Sequence, residues 1–167
     1  MKRIKNGLII LNLLVFLWLF NSSIINSERL LEEGELVFFE LAPVDPRSLM
    51  QGDYMRLNYA IMSSIDSEDI YPIGYLIFEL NHNNVAQFKR LEKDFGTIDK
   101  QDRIIKYQLG KRFFFSKRPF VRIGAESYFF QEGKAEHFEA AKYGGLKISQ
   151  NGESILIGLY DVNFEKL

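Results

Sequence analysis

The feature that most constrains this chain is its start. Lys2, Arg3 and Lys5 precede an apolar run, Gly7 to Phe20 (GLIILNLLVFLWLF), that continues more weakly through Ile24-Ile25. No acidic residue occurs before Glu28. Counted over 7–25, the run falls within the roughly 17–25 residues that span a bilayer. Three readings compete. A cleaved signal peptide fits the basic start, but the small-x-small cleavage pattern is poor. A buried core helix leaves the clustered charges unexplained. A signal anchor fits both, and retained cations place the rest of the chain on the outer side. The expectation is a single-pass cell-membrane protein: 1–25 as anchor, 26–35 (NSERLLEEGE) as an acidic, helix-prone connector, and 36–167 as a periplasmic or extracellular domain.

Composition bounds that domain. Beyond the anchor, 18 basic residues stand against 22 acidic ones, a net of about −4, so a general nucleic-acid binder is excluded. There is no cysteine. Disulfides, a thiolate nucleophile and thiolate-ligated metals are therefore ruled out, and the fold rests on packing. With 15 Phe and 8 Tyr, material for a core is ample.

Periodicity predicts a mainly β (α+β) domain, antiparallel, with one short helix. Leu36–Leu41 is a β-rich run closed by Pro43 and Pro46. From Tyr54 to Ile61 the pattern alternates, with Met55, Leu57, Tyr59 and Ile61 on one face and Tyr54, Arg56 and Asn58 on the other. Gly74–Leu80 and Val85–Leu91 flank Asn81-His82-Asn83-Asn84 as a hairpin. After a charged loop over 92–102, Arg103–Leu109 and Arg112–Phe115 flank Gly110 as a second hairpin, and Phe120–Ile123 is a further strand. Gln131–Tyr143 reads as the helix, with Gly144 as its left-handed terminator. Leu146–Ser149 and Ser154–Tyr160 surround Asn151-Gly152, a strong hairpin signal.

Residues 52–59, Gly-Asp-Tyr-Met-Arg-Leu-Asn-Tyr, carry a resemblance. Together with Tyr128-Phe129-Phe130-Gln131-Glu132-Gly133 and Ile157-Gly158-Leu159, they resemble the GDYxxLxY domain family of membrane-anchored bacterial proteins. The resemblance implies a location and an architecture but no reaction. Within the motif, Gly52 and Asp53 suit a turn, and Leu57 and Tyr59 share an inward parity. Glu132 and Gly133 are the other motif positions. Asp53, Tyr54, Arg56 and Asn58 are the binding candidates.

A second resemblance is to type I signal peptidases, which are also membrane-anchored and β-rich. It would make Lys89, in Phe88-Lys89-Arg90, the general base, which requires a depressed pKa. The position where that family carries its serine is Val44, and Ser48 lies closer to Gly52 than the family's spacing. Without a placed nucleophile there is no dyad. No catalytic residue is therefore assigned, and a divergent hydrolase using Lys89 and Ser48 is the alternative to a non-enzymatic module.

Residues 103–122 hold seven Lys and Arg and no acid, around Phe113-Phe114-Phe115. Lys106, Lys111, Arg112, Lys117, Arg118 and Arg122 present a solvated basic face, a surface for anionic lipid, or a site for an acidic partner. The histidines, His82 and His137, lie in a loop and on the helix; with Glu136 and Glu139 nearby, His137 is a candidate ligand, and a solvated helix face is the competing and expected reading. No phosphate loop or dinucleotide fingerprint occurs, so no cofactor or metal is expected. The expected partners are membrane lipid and an integral membrane protein, and no oligomeric state is assigned.

Overall fold

The computed structural model describes residues 2–42, 54–65, 70–96, 99, 101–110, 121–131 and 133–167. The basic and apolar start is one continuous helix, α1, Lys2–Glu33. Its 32 residues extend roughly 48 Å at the α-helical rise. It is the one helix among the described residues that is long and apolar enough to cross a membrane. Leu8 through Phe20 lie exposed along it, Trp18 most of all. Soluble domains bury such residues, so this surface matches an apolar solvent. Asn21 donates one amide N–H to the Leu17 carbonyl at 2.8 Å, within the helix, which lowers the cost of placing that group in apolar surroundings.

The helix does not end with the apolar run. It carries the connector residues with it, so that Leu30 is buried against the domain. Gly34 closes it, its N–H donating to the Leu30 carbonyl at 3.0 Å. A Cβ at Gly34 would collide with that same carbonyl, so only glycine allows the chain to turn here. Lys147 Nζ, from the domain, donates to the Gly34 carbonyl at 2.8 Å.

From there the chain is antiparallel β. The strands are β1 Glu35–Glu40, β2 Tyr54–Arg56, β3 Ile73–Leu80, β4 Ala86–Glu92, β5 Arg103–Leu109, β6 Val121–Arg122, β7 Ser127–Phe129, β8 Tyr143–Ile148 and β9 Ser154–Tyr160, with a one-turn helix α2, Ala135–Phe138. They form three sheets, ordered β1-β8-β9, β2-β7 and β4-β3-β5-β6. The core lies where the first and last face each other. Val37 and Phe39 from β1, Leu146 from β8, Leu76 and Phe78 from β3, and Ile105 from β5 are all fully buried. Phe39 is the hinge of this packing, edge-on to Tyr59 at 5.8 Å and to Phe78 at 5.4 Å. Strand β1 buries its other face too: Phe38 packs on Tyr160 at 4.9 Å and on Phe164 at 5.1 Å.

The structure corrects three expectations. The alternating run at 54–61 is not one strand. Strand β2 stops at Arg56, and Ala60–Ser64 is a 3-10 turn. The extended backbone changes partner instead of pairing onward: Leu57 N–H donates to Glu126 O at 2.9 Å, Asn58 O accepts from Ala42 N–H at 2.7 Å, and Tyr59 bridges Leu41. Burial parity survives the change, and Met55, Leu57, Tyr59 and Ile61 are all buried.

The helix expected over 131–143 is a single turn. Gly133 adopts φ +80° before it, and beyond it Lys142 is claimed by the sheet, its N–H donating to Tyr160 O and its carbonyl accepting from Leu41 N–H. Gly144 is not a left-handed terminator. It sits within β8, where a Cβ would lie 3.1 Å from the Tyr59 ring. The expected strand Arg112–Phe115 lies outside the described residues; among the described residues β5 pairs with β3 and with β6, Gln108 opposite Arg122.

The closing hairpin turns at Gly152 with φ +81°, the left-handed conformation that glycine adopts without steric cost. Its tip docks on β5, where Lys106 N–H donates to the Gly152 carbonyl at 2.8 Å.

Candidate functional site

The motif residues separate into two roles by parity. Leu57 and Tyr59 face the core. The Tyr59 hydroxyl donates to the Ala125 carbonyl at 2.6 Å, and its ring fills the space above Gly144. Burial raises the Tyr59 hydroxyl far above the ordinary tyrosine range, and the Glu126 carboxylate raises it further. The phenol is thus a neutral, structural donor. Tyr59→Phe leaves the Ala125 carbonyl without that donor and should cost about 1–3 kcal/mol, measured by denaturant unfolding.

The opposite parity faces out. Tyr54 is half-buried and lies across from Phe129, the rings 5.7 Å apart; among the described residues Phe129 is the most exposed aromatic of the domain. Arg56 and Asn58 are exposed and line a cleft of about 230 Å³ together with Glu139 and Lys142 from the segment after α2. Gly52, Asp53 and Glu132 lie outside the described residues.

A second, larger cleft of about 760 Å³ opens where α1 meets the domain. Asn26, Arg29 and Glu33 form the helix wall, and Ser149, Asn151 and Glu153 of the closing hairpin form part of the other. Glu35 and Arg103 join below them through a two-point ion pair, Nε–Oε2 at 2.5 Å and Nη2–Oε1 at 3.2 Å. The floor includes Asp102, the one buried charged residue among the described residues. Lys89 Nζ donates to Asp102 Oδ1 at 2.7 Å and Arg90 Nη1 to Oδ2 at 3.1 Å.

Neighbouring residues on a strand point to opposite sides, yet Lys89 and Arg90 reach the same carboxylate. A β-bulge allows it: Ile77 pairs Arg90 and Phe78 pairs Phe88, leaving Lys89 as the extra residue. Bulges re-aim side chains in this way.

The cluster also decides what Lys89 can do. Its hydrogen bond to Asp102 raises the Lys89 pKa, the reverse of what a lysine base requires. Ser48 lies outside the described residues. Nothing in the sequence marks Asp102, which is only the last acid of a charged loop. The hydrogen bond from Lys89, and then that from Arg90, lower its pKa. A lowered carboxylate pKa stabilises the fold above the unfolded value, about 3.9, and that contribution is lost as pH falls through the folded value. Stability should therefore fall as pH drops below ~4, and Asp102→Asn should reduce that fall in thermal melts while lowering stability at neutral pH.

The basic stretch is partly compensated. Lys106 and Arg122 lie on one face of β5-β6. Lys106 reaches Glu153 at 3.4 Å and Arg122 reaches Glu126 at 3.7 Å. Lys111, Arg112, Lys117 and Arg118 lie outside the described residues.

Comparison with known families is decisive at this point. The model of the family described as GDYXXLXY protein matches residues 16–159. The chain belongs to the GDYXXLXY protein family. The match begins inside α1, at Phe16, so in a GDYXXLXY protein the later part of the apolar helix and the β domain are covered by one pattern. Neither curated proteins nor solved structures match the chain. In this GDYXXLXY protein both histidines are exposed, and His137 packs edge-on against Phe138 at 5.1 Å. Among the described residues, no group of three or more His, Asp or Glu side chains is placed to hold a metal ion.

Proposed function

We propose that this GDYXXLXY protein is a membrane-tethered, non-enzymatic binding module that presents its β domain to another envelope component. One observation carries the reading: no slack separates the apolar helix from the fold. Helix α1 runs to Glu33, β1 begins at Glu35, and Leu30 is buried between them. From Ile25 to Glu33 the helical rise is only about 12 Å, so the domain is held in one attitude close to the bilayer. A hydrolase acting on diffusing substrates gains little from such a fixed mount. A module that meets a partner in the same membrane gains a high effective concentration and a defined approach. An integral membrane protein is the partner this favours. The basic start at Lys2, Arg3 and Lys5 supports an outward-facing domain.

The surface offered is the outward face of the motif strand, with Tyr54, Arg56, Asn58 and Phe129. The test is photo-crosslinking in native membranes from a probe at Asn58, with and without a flexible Gly/Ser linker inserted after Ile25. The reading expects a discrete membrane-protein adduct that fades when the linker uncouples the domain. An adduct pattern indifferent to the linker, or none beyond that of a probe at buried Leu57, contradicts it.

A further inference from the structure

We propose that the cleft where α1 enters the domain seats the headgroup of a zwitterionic aminophospholipid, its phosphodiester toward Asn26 and Arg29 and its ammonium toward Glu33. The inference rests on the membrane-tethered reading above. Its first support is position. Asn26 immediately follows the last apolar pair, Ile24-Ile25, so the cleft opens at headgroup depth whichever way the helix is inserted. The second is spacing. Asn26, Arg29 and Glu33 stand at i, i+3 and i+7, one face of a helix, and all three line the cleft. Moving out from the bilayer, the order is amide, cation, carboxylate. That is the order in which an aminophospholipid presents phosphate and then ammonium.

The third support is charge. The other ionised groups lining the cleft are already matched: Glu35 by Arg103, Glu153 by Lys106, and Asp102 by Lys89 and Arg90. Among the described residues Arg29 and Glu33 have no ion-pair partner, not even each other. One charge of each sign is left over. A lone anion would leave Glu33 unanswered, and a lone cation would leave Arg29 unanswered; a zwitterion answers both. The far wall adds Asn151, whose Oδ1 is held within the turn by Ser149 Oγ and Glu153 N–H and whose amide N–H groups suit the remaining phosphate and glycerol oxygens. The volume of about 760 Å³ lies within the range of small-molecule sites.

The headgroup's amine identifies the class. A primary ammonium donates N–H bonds to a carboxylate; a trimethylated one has none to give, and a glycerol headgroup has no cation. The test uses the full chain in nanodiscs holding equal parts phosphatidylethanolamine, phosphatidylcholine and phosphatidylglycerol, with retained lipid identified by native mass spectrometry. One charge-assisted hydrogen bond corresponds to a preference on the order of tenfold for phosphatidylethanolamine over phosphatidylcholine. Glu33→Gln should bring that ratio close to one, and Arg29→Ala should reduce retention of both. Both residues are exposed, so the melting of the β domain should be unchanged in either variant.

Equal retention of the two lipids by the native chain, or a preference that survives Glu33→Gln, overturns the assignment. Free phosphoethanolamine added to phosphatidylcholine nanodiscs should not stabilise the protein; stabilisation equal to that by the lipid would overturn a lipid source. A chain that stays in the disc without discriminating refutes the headgroup site alone. A chain that alkaline carbonate strips from membranes refutes the tether and the site together.

Discussion

Replacing Phe39 by Ala should lower the unfolding free energy by about 3–5 kcal/mol, the largest loss expected from one side chain here. Phe39 is fully buried and is where β1, the motif segment and β3 touch, through its edge-on contacts with Tyr59 and Phe78. Its removal leaves a cavity bordered by three separate elements. Strands β1 and β3 are tied by their sheet hydrogen bonds and the motif segment by its backbone bonds to Glu126 and Ala42, so none can close the gap without breaking them, and the cavity stays open. Urea titration of the full chain in detergent measures the change. A variant within 1 kcal/mol of the parent, well under the usual cost of such a truncation, would mean that the two sheets do not pack through Phe39.

Leu57→Ala should cost about 2–5 kcal/mol. Leu57 is buried, and its own N–H holds the Glu126 carbonyl at 2.9 Å. The substitution retains that backbone bond and deletes only packing. The loss should therefore appear as a lower midpoint with an unchanged denaturant slope. A melting temperature equal to the parent's would show that Leu57 is exposed and the motif's parity reversed. Together with Tyr59→Phe, the substitution separates what the motif contributes through packing from what it contributes through its one buried hydroxyl.

What could be read from the sequence follows from how local each signal is. The long apolar helix at the start was legible because no turn or breaker signal interrupts its apolar run, and β5 was legible because Ile105–Leu109 alternates apolar and polar residues. The closing hairpin was announced by Asn151-Gly152, whose backbone preference is local. The motif segment misled in extent but not in parity. Alternation reports which side chains go in, and an extended chain passing from β7 to the end of β1 alternates as well as a strand does.

The helix over 131–143 failed for the complementary reason. Its Ala and Glu content favours a helix locally, but Lys142 bonds to Tyr160 and Leu41, residues that no local window contains. The Asp102 cluster was invisible because it depends on a bulge: without the extra residue at Lys89, Lys89 and Arg90 could not face one carboxylate. The cleft at the foot of α1 was equally hidden, since its walls come from residues 26–33 and 149–153 at the two ends of the chain.

On the proposed function, α1 holds the folded domain in the membrane as one continuous piece. Alkaline carbonate extraction of membranes carrying the full chain tests it most directly, with the N-terminus of the retained protein sequenced. The account predicts that the protein stays in the pellet, leaves only with detergent, and keeps residues 2–25. A protein that washes into the supernatant, or whose mature chain begins after Ser22, would contradict it.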